Sequence, residues 1–336
     1  MPMILPPWAI WSYKEAFVDD DSAHVPVLLE AALAALAPAP GAWCVDVTGG
    51  RGGHSAALLA RLGTAGRLLI LDRDPQAVAF LARRFRDDER VTVRRAAFSR
   101  LAEILAGESW EGVDAILADL GVSSPQIDEA QRGFSFLRDG PLDMRMDPEA
   151  GMSAAAWLAT AEEREISTVL RDYGEERFAR PIARAICRRR AVAPITRTGD
   201  LAQIIATVLP RREPGQHPAT RSFQGIRIFI NEELAELEHF LPEAMAALRP
   251  CGRLAVISFH SLEDRIVKRF MRADAFRPAP GLPLREDQLP PLPWRPVGKA
   301  QRAGEEENRR NPRARSAVLR VVEKSAEGAL PCVVPR

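Results

Sequence analysis

Between residues 43 and 120 the chain keeps returning to one phrase: an apolar run that ends in an acid or a small polar residue, then a stretch with helical spacing. The runs are "WCVDVT" (43–48), "RLLILD" (67–72), "VTVRRA" (91–96) and "VDAILADL" (113–120). Runs of strand length that are apolar almost throughout have no polar face to turn to water, so both faces must be covered. The connecting segments supply the cover. "HSAALLARLG" has helical apolar spacing and ends on Gly63, a helix-terminating residue. "DPQAVAFLARRF" opens with Asp74 as N-cap and Pro75 in the first turn. Strand alternating with helix in this way predicts an α/β fold with a parallel sheet between two helical layers.

The phrase stops at residue 126. From Ile127 to about Arg221 no strand is evident, and four helical stretches follow one another: "SAAAWLAT", "AEEREISTVLRDY", "EERFARPIARAICRRR" and "GDLAQIIATVLP". Thr160 and Glu163 have the spacing of a capping box for the second. The α/β pattern resumes with "FQGIRIFINEELAELEHFL", where Phe223, Ile226, Ile230, Leu234, Leu237 and Leu241 step by three and four. That spacing predicts one long helix with a buried face, and Pro242 starts the next. Strands are expected at 252–259 and 316–324, and an extended proline-rich loop at 275–297. The division is then a tail at 1–23, a discontinuous α/β domain at 24–126 and 222–336, and an inserted all-helical substrate-recognition domain at 127–221.

Composition narrows the partners. No apolar run reaches the roughly 18 to 20 residues of a membrane span. The first 22 residues hold one lysine and several acids, unlike a secretion or transit signal, which predicts a cytoplasmic protein. Cys44, Cys187, Cys251 and Cys332 form no CxxC pair, which argues against a zinc site and against a disulfide framework. Formal net charge is +1, so nucleic acid would have to be gripped by local patches. "RPIARAICRRR" (180–190) and the arginine-rich segment 294–320 are the candidates, with a solvated helix face and a tail as the plain alternatives.

Ligands of open α/β sheets bind beyond the carboxyl ends of the strands. The first such end is "DVTGGRGGH" (46–54), a glycine turn that lets a ligand approach the backbone. Asp72 ends the second strand, where a carboxylate can accept the hydroxyls of a ribose. The turn lacks GxGxxG, which argues against an NAD-dependent oxidoreductase. Asp46-x-Thr48-x-Gly50-x-Gly52 instead matches the acid-headed loop common in S-adenosylmethionine methyltransferases, and an acid there suits a ligand bearing an ammonium and a sulfonium. Phe98, after the third strand, has two readings, a stack near adenine or a core residue. The fourth end is "DLGVSSPQ" (119–126): Asp119 faces the cofactor, and Ser123 and Ser124 offer polar groups to a substrate amine.

These residues, with "HVPVLLEAAL", "LDRDPQA", "RGFSFLRDGPLDMRMDP", "YGEERFARPIARAI", "HPATRSFQGIRIFINEEL", "GRLAVISFHSLEDRIVKRFM" and "NPRARSAVLR", resemble the bacterial 16S ribosomal RNA cytosine-N4 methyltransferase family, of the RsmH or MraW type. The likeness runs from about His24 to Glu323. It implies a Rossmann-like, class I methyltransferase sheet, S-adenosylmethionine as cofactor, and methylation of the exocyclic amine of a cytidine in the decoding region of 16S rRNA within the small ribosomal subunit. The family's cofactor contacts carry over onto Gly52, Gly53, His54, Asp72, Phe98, Asp119 and Gln126. One departure is Gly49, where the family has an aromatic residue, and it predicts a looser loop.

The mechanism expected from this reading is in-line attack of the amine on the sulfonium methyl, with Asp119, then Ser123 or Ser124, accepting an amine hydrogen. Since DLGVSSPQ has no aromatic to stack on the base, Phe134 or Phe136 is expected to supply one, a core role being the alternative. Arg145 belongs either to an ion-pair knot with Asp143 and Asp147 or to the substrate cleft. His217, Arg221 and His260 are the remaining substrate candidates, and His260 also has a plain structural reading. No metal is expected, and a homodimer is left open. A non-catalytic RNA-binding protein and a methyltransferase for DNA or a small molecule are the rival readings.

Overall fold

The structure is a computed structural model that describes residues 26–209, 217–272 and 292–326. The expected tail at 1–23 and most of the proline-rich segment lie outside the described residues. Along the chain run α1 (Leu29–Leu36), β1 (Trp43–Asp46), α2 (Gly53–Leu62), β2 (Arg67–Asp72), α3 (Pro75–Arg84), β3 (Val91–Arg95), α4 (Leu101–Gly107), β4 (Val113–Asp119) and α5 (Ser124–Asp128). The helices α6 (Ala154–Thr160), α7 (Glu163–Asp172), α8 (Ala179–Arg190), α9 (Thr198–Val208), α10 (Thr220–Ile230) and α11 (Glu233–Ala247) come next. The chain closes with β5 (Leu248–Ser258), α12 (Ser261–Met271), β6 (Trp294–Pro296), β7 (Gln301–Arg302), α13 (Glu305–Arg310) and β8 (Val318–Lys324).

The sheet order is β3-β2-β1-β4-β5-β8-β6, with β7 also on β8. The five strands from β3 to β5 are parallel, and β8 enters antiparallel to β5 with Ile257 opposite Leu319. Successive strand residues alternate between two apolar layers. Val45, Leu69, Leu71, Ile116 and Val256 face α4, α11 and α12, and Cys44, Leu68, Ile70, Leu117 and Ile257 face α1, α2 and α3. This alternation of buried residues on both faces is why the runs read as continuously apolar.

A third core belongs to the helices between β4 and β5, built on Trp157, Ile166, Leu170, Ile182, Ile186 and Leu201, and it runs on into Phe223 and Ile226 of α10. Two ties hold it to the sheet. Asp74 Oδ2 accepts from Gln126 Nε2 at 2.9 Å and from Arg132 Nη1 at 2.7 Å, and Arg132 also donates to the Met146 carbonyl at 2.8 Å. Asn231 then accepts from the Met146 N–H at 2.7 Å and donates to the Met144 carbonyl at 2.7 Å.

Three local expectations are corrected. The single long helix is two, α10 and α11, because Asn231 ends α10 and Glu232 turns left-handed at φ 52°. The Asn231 side chain bonds the Arg227 carbonyl at 2.9 Å, competing with helix continuation. Pro242 lies inside α11 and starts nothing, since the buried stripe Leu237, Phe240, Leu241 and Ala244 continues past it. Thr160 does not cap α7. It is the last residue of α6, and its hydroxyl bonds carbonyls of its own helix. By contrast Asp74 does cap α3, accepting from the Gln76 N–H at 2.9 Å.

Candidate active site at the strand ends

Strand order reverses between β1 and β4, the place where an open sheet leaves a crevice beyond its carboxyl ends. A cavity of about 440 Å³ lies there, its wall drawn from the β1–α2 turn, the ends of β2, β4 and β5, the start of α11 and the segment before β8.

The glycine turn is folded from beneath by Asp46. Its buried carboxylate accepts from Ser55 Oγ at 2.6 Å and from the Thr48 N–H at 3.1 Å. Asp46 is therefore a folding residue of the turn and not, as the sequence suggested, an acid offered to the ligand. Nor is the turn loose. The Gly49 N–H donates to the Leu71 carbonyl at 2.8 Å, and the Gly52 N–H to the Gly49 carbonyl at 2.7 Å. A Cβ on Gly49 would lie 2.5 Å from Ile70 Cγ2 and 2.6 Å from Leu81 Cδ1, so glycine is what this packing admits. Gly52 faces Leu81 and Phe85, away from the cavity, and its N–H is spent inside the turn.

Asp72 closes the turn from β2. One oxygen accepts the Gly50 N–H and the other the Asp74 N–H, both at 2.8 Å, which leaves lone pairs on each for further donors. Burial pushes its carboxyl up to about 6, against the lowering effect of those two amides. Across the cavity stands Asp119, whose N–H donates to Thr48 Oγ1 at 2.6 Å. Its side chain is 25% exposed, yet Oδ1 is closed off and has no hydrogen-bond partner among the described residues. Oδ2 lies 3.5 Å from Nδ1 of the buried His54. Burial raises the Asp119 carboxyl well above its ordinary value, and the carboxylates of Asp46 and Glu263 add to the effect. Burial also lowers His54 to about 4, so its ring is neutral.

The DLGVSSPQ turn serves two purposes. Gln126 Oε1 accepts the Ser123 N–H at 2.9 Å, closing a capping box on α5, so both ends of the Gln126 amide hold structure. Ser124 Oγ accepts from Arg313, whose other nitrogen bonds Asp128 at 2.9 Å. Phe98 lines the cavity and packs edge-on against Phe240, with ring centroids 5.2 Å apart.

Gly53, His54, Asp72, Phe98, Asp119, Ser123, Ser124 and Gln126 thus meet at one cavity. The four substrate candidates do not line it. Arg145 is taken by Asp143, with Nη2 2.7 Å from Oδ2, and the neighbouring Asp147 by Arg95 at 2.9 Å, so the ion-pair reading holds. His217 stacks on Phe136 at 4.3 Å, which covers one face of the ring expected to hold a base. Arg221 sits on the first turn of α10, its backbone against Gly174. His260 caps α12 and lies 3.2 Å from Glu263. Phe134 stands beside Arg132 and also lies outside the cavity wall.

Other groups stand in the wall that sequence reasoning did not single out. Phe259 follows β5 and comes within 3.7 Å of where a Cβ on Gly121 would be. Arg227, Glu233 and Glu263 form a charged corner, Arg227 donating to both oxygens of Glu233 at 2.8 and 2.9 Å. Burial alone would push Glu263 up, but His260, Arg227 and the Phe259 N–H hold it down. Glu233, His260 and Glu263 present ligand atoms within 4.8 Å of one another. Arg227 already occupies Glu233, and the Phe259 and His260 amides occupy Glu263 Oε2 at 2.8 and 3.2 Å, so the group is an ion-pair network. Its members come from three separate elements, and the only signal was their place after or before an apolar run.

A parallel sheet with an antiparallel strand inserted beside β5, a glycine turn held by two acids, and an acid-and-serine turn after β4 define a Rossmann-like methyltransferase. The chain belongs to the MraW methylase family, which matches residues 21–325. It is similar to the ribosomal RNA small subunit methyltransferase H of Acidithiobacillus ferrooxidans, 69% identical over 93% of this chain and 98% of that one. The protein of the same name from Thiobacillus denitrificans is 59% identical over 91% of this chain and 99% of its own. That from Thioalkalivibrio sulfidiphilus is 57% identical over 90% and 98%.

The protein is a methyltransferase, and S-adenosylmethionine is its methyl donor. The residues fit that donor: Asp72 has acceptor capacity left for ribose hydroxyls, and the Asp119 carboxyl lines the cavity across from it.

Proposed function

We infer that the enzyme methylates the exocyclic N4 amine of a cytidine in the decoding region of 16S rRNA, in the cytoplasm and within the small ribosomal subunit. The observation that carries this reading is Asp119: a partly exposed carboxyl at the end of β4 that lines the cavity beside two serines and across from Asp72. An amine is a donor, and a carboxyl at the cavity wall offers it an acceptor. The names of the relatives supply the RNA.

When bound, S-adenosylmethionine supplies a methyl group on a cationic sulfur, already a strong electrophile. The work left to the chain is positional, and holding two reactants in line contributes about 7 to 11 kcal/mol. Asp72 accepts the ribose hydroxyls, and the turn at Gly50 lets the backbone come close. Asp119 accepts one hydrogen of the amine and so aims the nitrogen lone pair, with Ser123 and Ser124 as further polar contacts. The base must leave its stack to reach this depth. Arg313, which reaches the turn from the segment before β8, adds a positive charge to the cavity wall for a phosphate.

The test uses S-adenosylmethionine with a labelled methyl group, purified enzyme, and either unmodified small-subunit particles or naked 16S rRNA, followed by nucleoside mass spectrometry. Label in N4-methylcytidine is the expected result. Label in another nucleoside, or in none despite cofactor binding, would replace the substrate assignment while leaving the fold and cofactor in place.

A further inference from the structure

Among the described residues the cavity wall holds two phenyl rings, Phe98 and Phe259, and they belong to opposite sides of the sheet's switch point. Phe98 follows β3, the neighbour of β2 and its Asp72. Phe259 follows β5, the neighbour of β4 and its Asp119. One ring thus keeps company with the acid suited to a ribose, the other with the acid suited to an amine.

The sheet register fixes where the second ring stands. Asp119 is paired with Ile257, and the Leu120 N–H donates to the Ile257 carbonyl at 2.9 Å. The chain therefore leaves β5 beside the DLGVSSPQ turn, and Phe259 is the second residue past the pairing. A Cβ on Gly121 would lie 3.7 Å from Phe259 Cδ2 and within 4 Å of no other listed neighbour among the described residues, so the space beside the turn is open except for the ring. The ring is half-buried, packed against the apolar layer that includes Ile257 and Leu319 while also lining the cavity. Its backbone is clamped as well: the Phe259 N–H donates to Glu263 Oε2 at 2.8 Å, and the His260 N–H shares that oxygen at 3.2 Å. A ring supported from behind and held at its backbone is already ordered before a ligand arrives.

We propose that Phe259 is the platform on which the extruded target base stacks, seating its exocyclic amine at Asp119. The proposal rests on the base-methylation reading above and adds to it the residue that holds the base. A base drawn out of its helix loses the stacking of its neighbours, and an aromatic face replaces that contact at small cost in side-chain freedom. The turn that carries Asp119 has no aromatic residue of its own from 119 to 126. Glycine at 121 keeps the space clear, and the adjacent strand supplies the ring. Phe134 and Phe136, the rings expected from the sequence, are not in the cavity wall. Arg313 bonds Ser124 and Asp128 of the same turn, so a cation for phosphate, a flat apolar face for the base and an acceptor for the amine come together around one turn.

Aromatic and merely apolar replacements separate stacking from packing. Phe259→Leu keeps an apolar side chain against the packed layer and removes the flat face, and Phe259→Met does the same with a more adaptable chain should leucine disturb the fold. Phe259→Tyr keeps the face. Methyl transfer is read as the single-turnover rate with saturating unmodified small-subunit particles or naked 16S rRNA, whichever the wild-type enzyme methylates. Affinity for S-adenosylhomocysteine is read by calorimetry, and folding by the thermal midpoint. Stacking requires the Leu and Met variants to lose about 10-fold or more in rate, to bind S-adenosylhomocysteine within a few-fold of wild type, and the Tyr variant to stay within a few-fold of wild type in both. A Leu or Met variant that keeps its rate would make Phe259 a packing residue. A loss that follows S-adenosylhomocysteine affinity would assign the ring to the cofactor, and a Tyr variant as slow as the Leu variant would show that the aromatic face is not what matters; each overturns the proposal. Failure of the underlying reading is distinct, because the wild-type enzyme itself would then yield no N4-methylcytidine.

Discussion

In the ribose-binding role proposed for it, Asp72 would couple cofactor binding to pH with a definite sign. Its carboxyl is raised from 3.8 to about 6, mainly by burial. The folded chain therefore holds this proton more tightly than the unfolded chain, and the group costs stability as pH climbs from 3.8 through about 6. Binding runs the other way, since ribose hydroxyls donate to the ionised form. Calorimetric affinity for S-adenosylhomocysteine should be flat above neutrality and weaken as pH falls below about 6, and Asp72→Asn should remove that slope along with much of the affinity. Asp119→Ala should lower the methylation rate about 100-fold or more; a rate near wild type would take Asp119 out of the chemistry. Both acids were legible because each ends an apolar run at the edge where ligands bind. Phe259, Arg227 and Glu233 were not, because their relation to the cavity depends on how β5, α10 and α11 are brought round to β4. The expected loose turn at Gly49 failed for a related reason: the neighbours that require glycine there, Ile70 and Leu81, lie on other elements.

Among the elements, α10 shows best how close packing sets the helical region. A Cβ on Gly225 would lie 2.7 Å from the Gly174 nitrogen and 3.1 Å from the Val169 carbonyl oxygen, backbone atoms that do not swing aside. Gly225→Ala is expected to cost on the order of 1–3 kcal/mol by overpacking, seen as a lower midpoint in thermal unfolding, with cofactor affinity little changed because neither Gly225 nor Gly174 lines the cavity. Helix periodicity revealed that residues 223–241 form helix with one buried face. It did not reveal the break at Asn231, whose side chain bonds the Arg227 carbonyl and is held in place by Met144 and Met146, far back in the chain. Strand identities were easier to read, since a strand buried on both faces writes its state locally.

For the molecule as a whole, net charge is +1 and gives no general attraction for RNA. Within the segment 294–320, Arg295 is paired with Glu323, Arg320 with Asp264 and Arg313 with Asp128, so much of its charge holds the sheet together. Lys299, Arg302, Arg309 and Arg315 remain exposed, as do Arg180 and Arg188 on α8. Binding to 16S rRNA, followed by filter retention, should weaken steeply between low and physiological salt as counterions are released. A flat salt dependence would speak against an RNA substrate. The organisation of the fold also sets when the cavity forms. Leu28 bonds Glu307, 279 positions away, Val27 holds His54, and Arg313 reaches Ser124. A nascent chain emerging from synthesis has its glycine turn and Asp72 early, but the wall of the cavity is completed only when the last strands arrive. The cavity is thus closed by segments from distant parts of the sequence and takes shape only when they pack together.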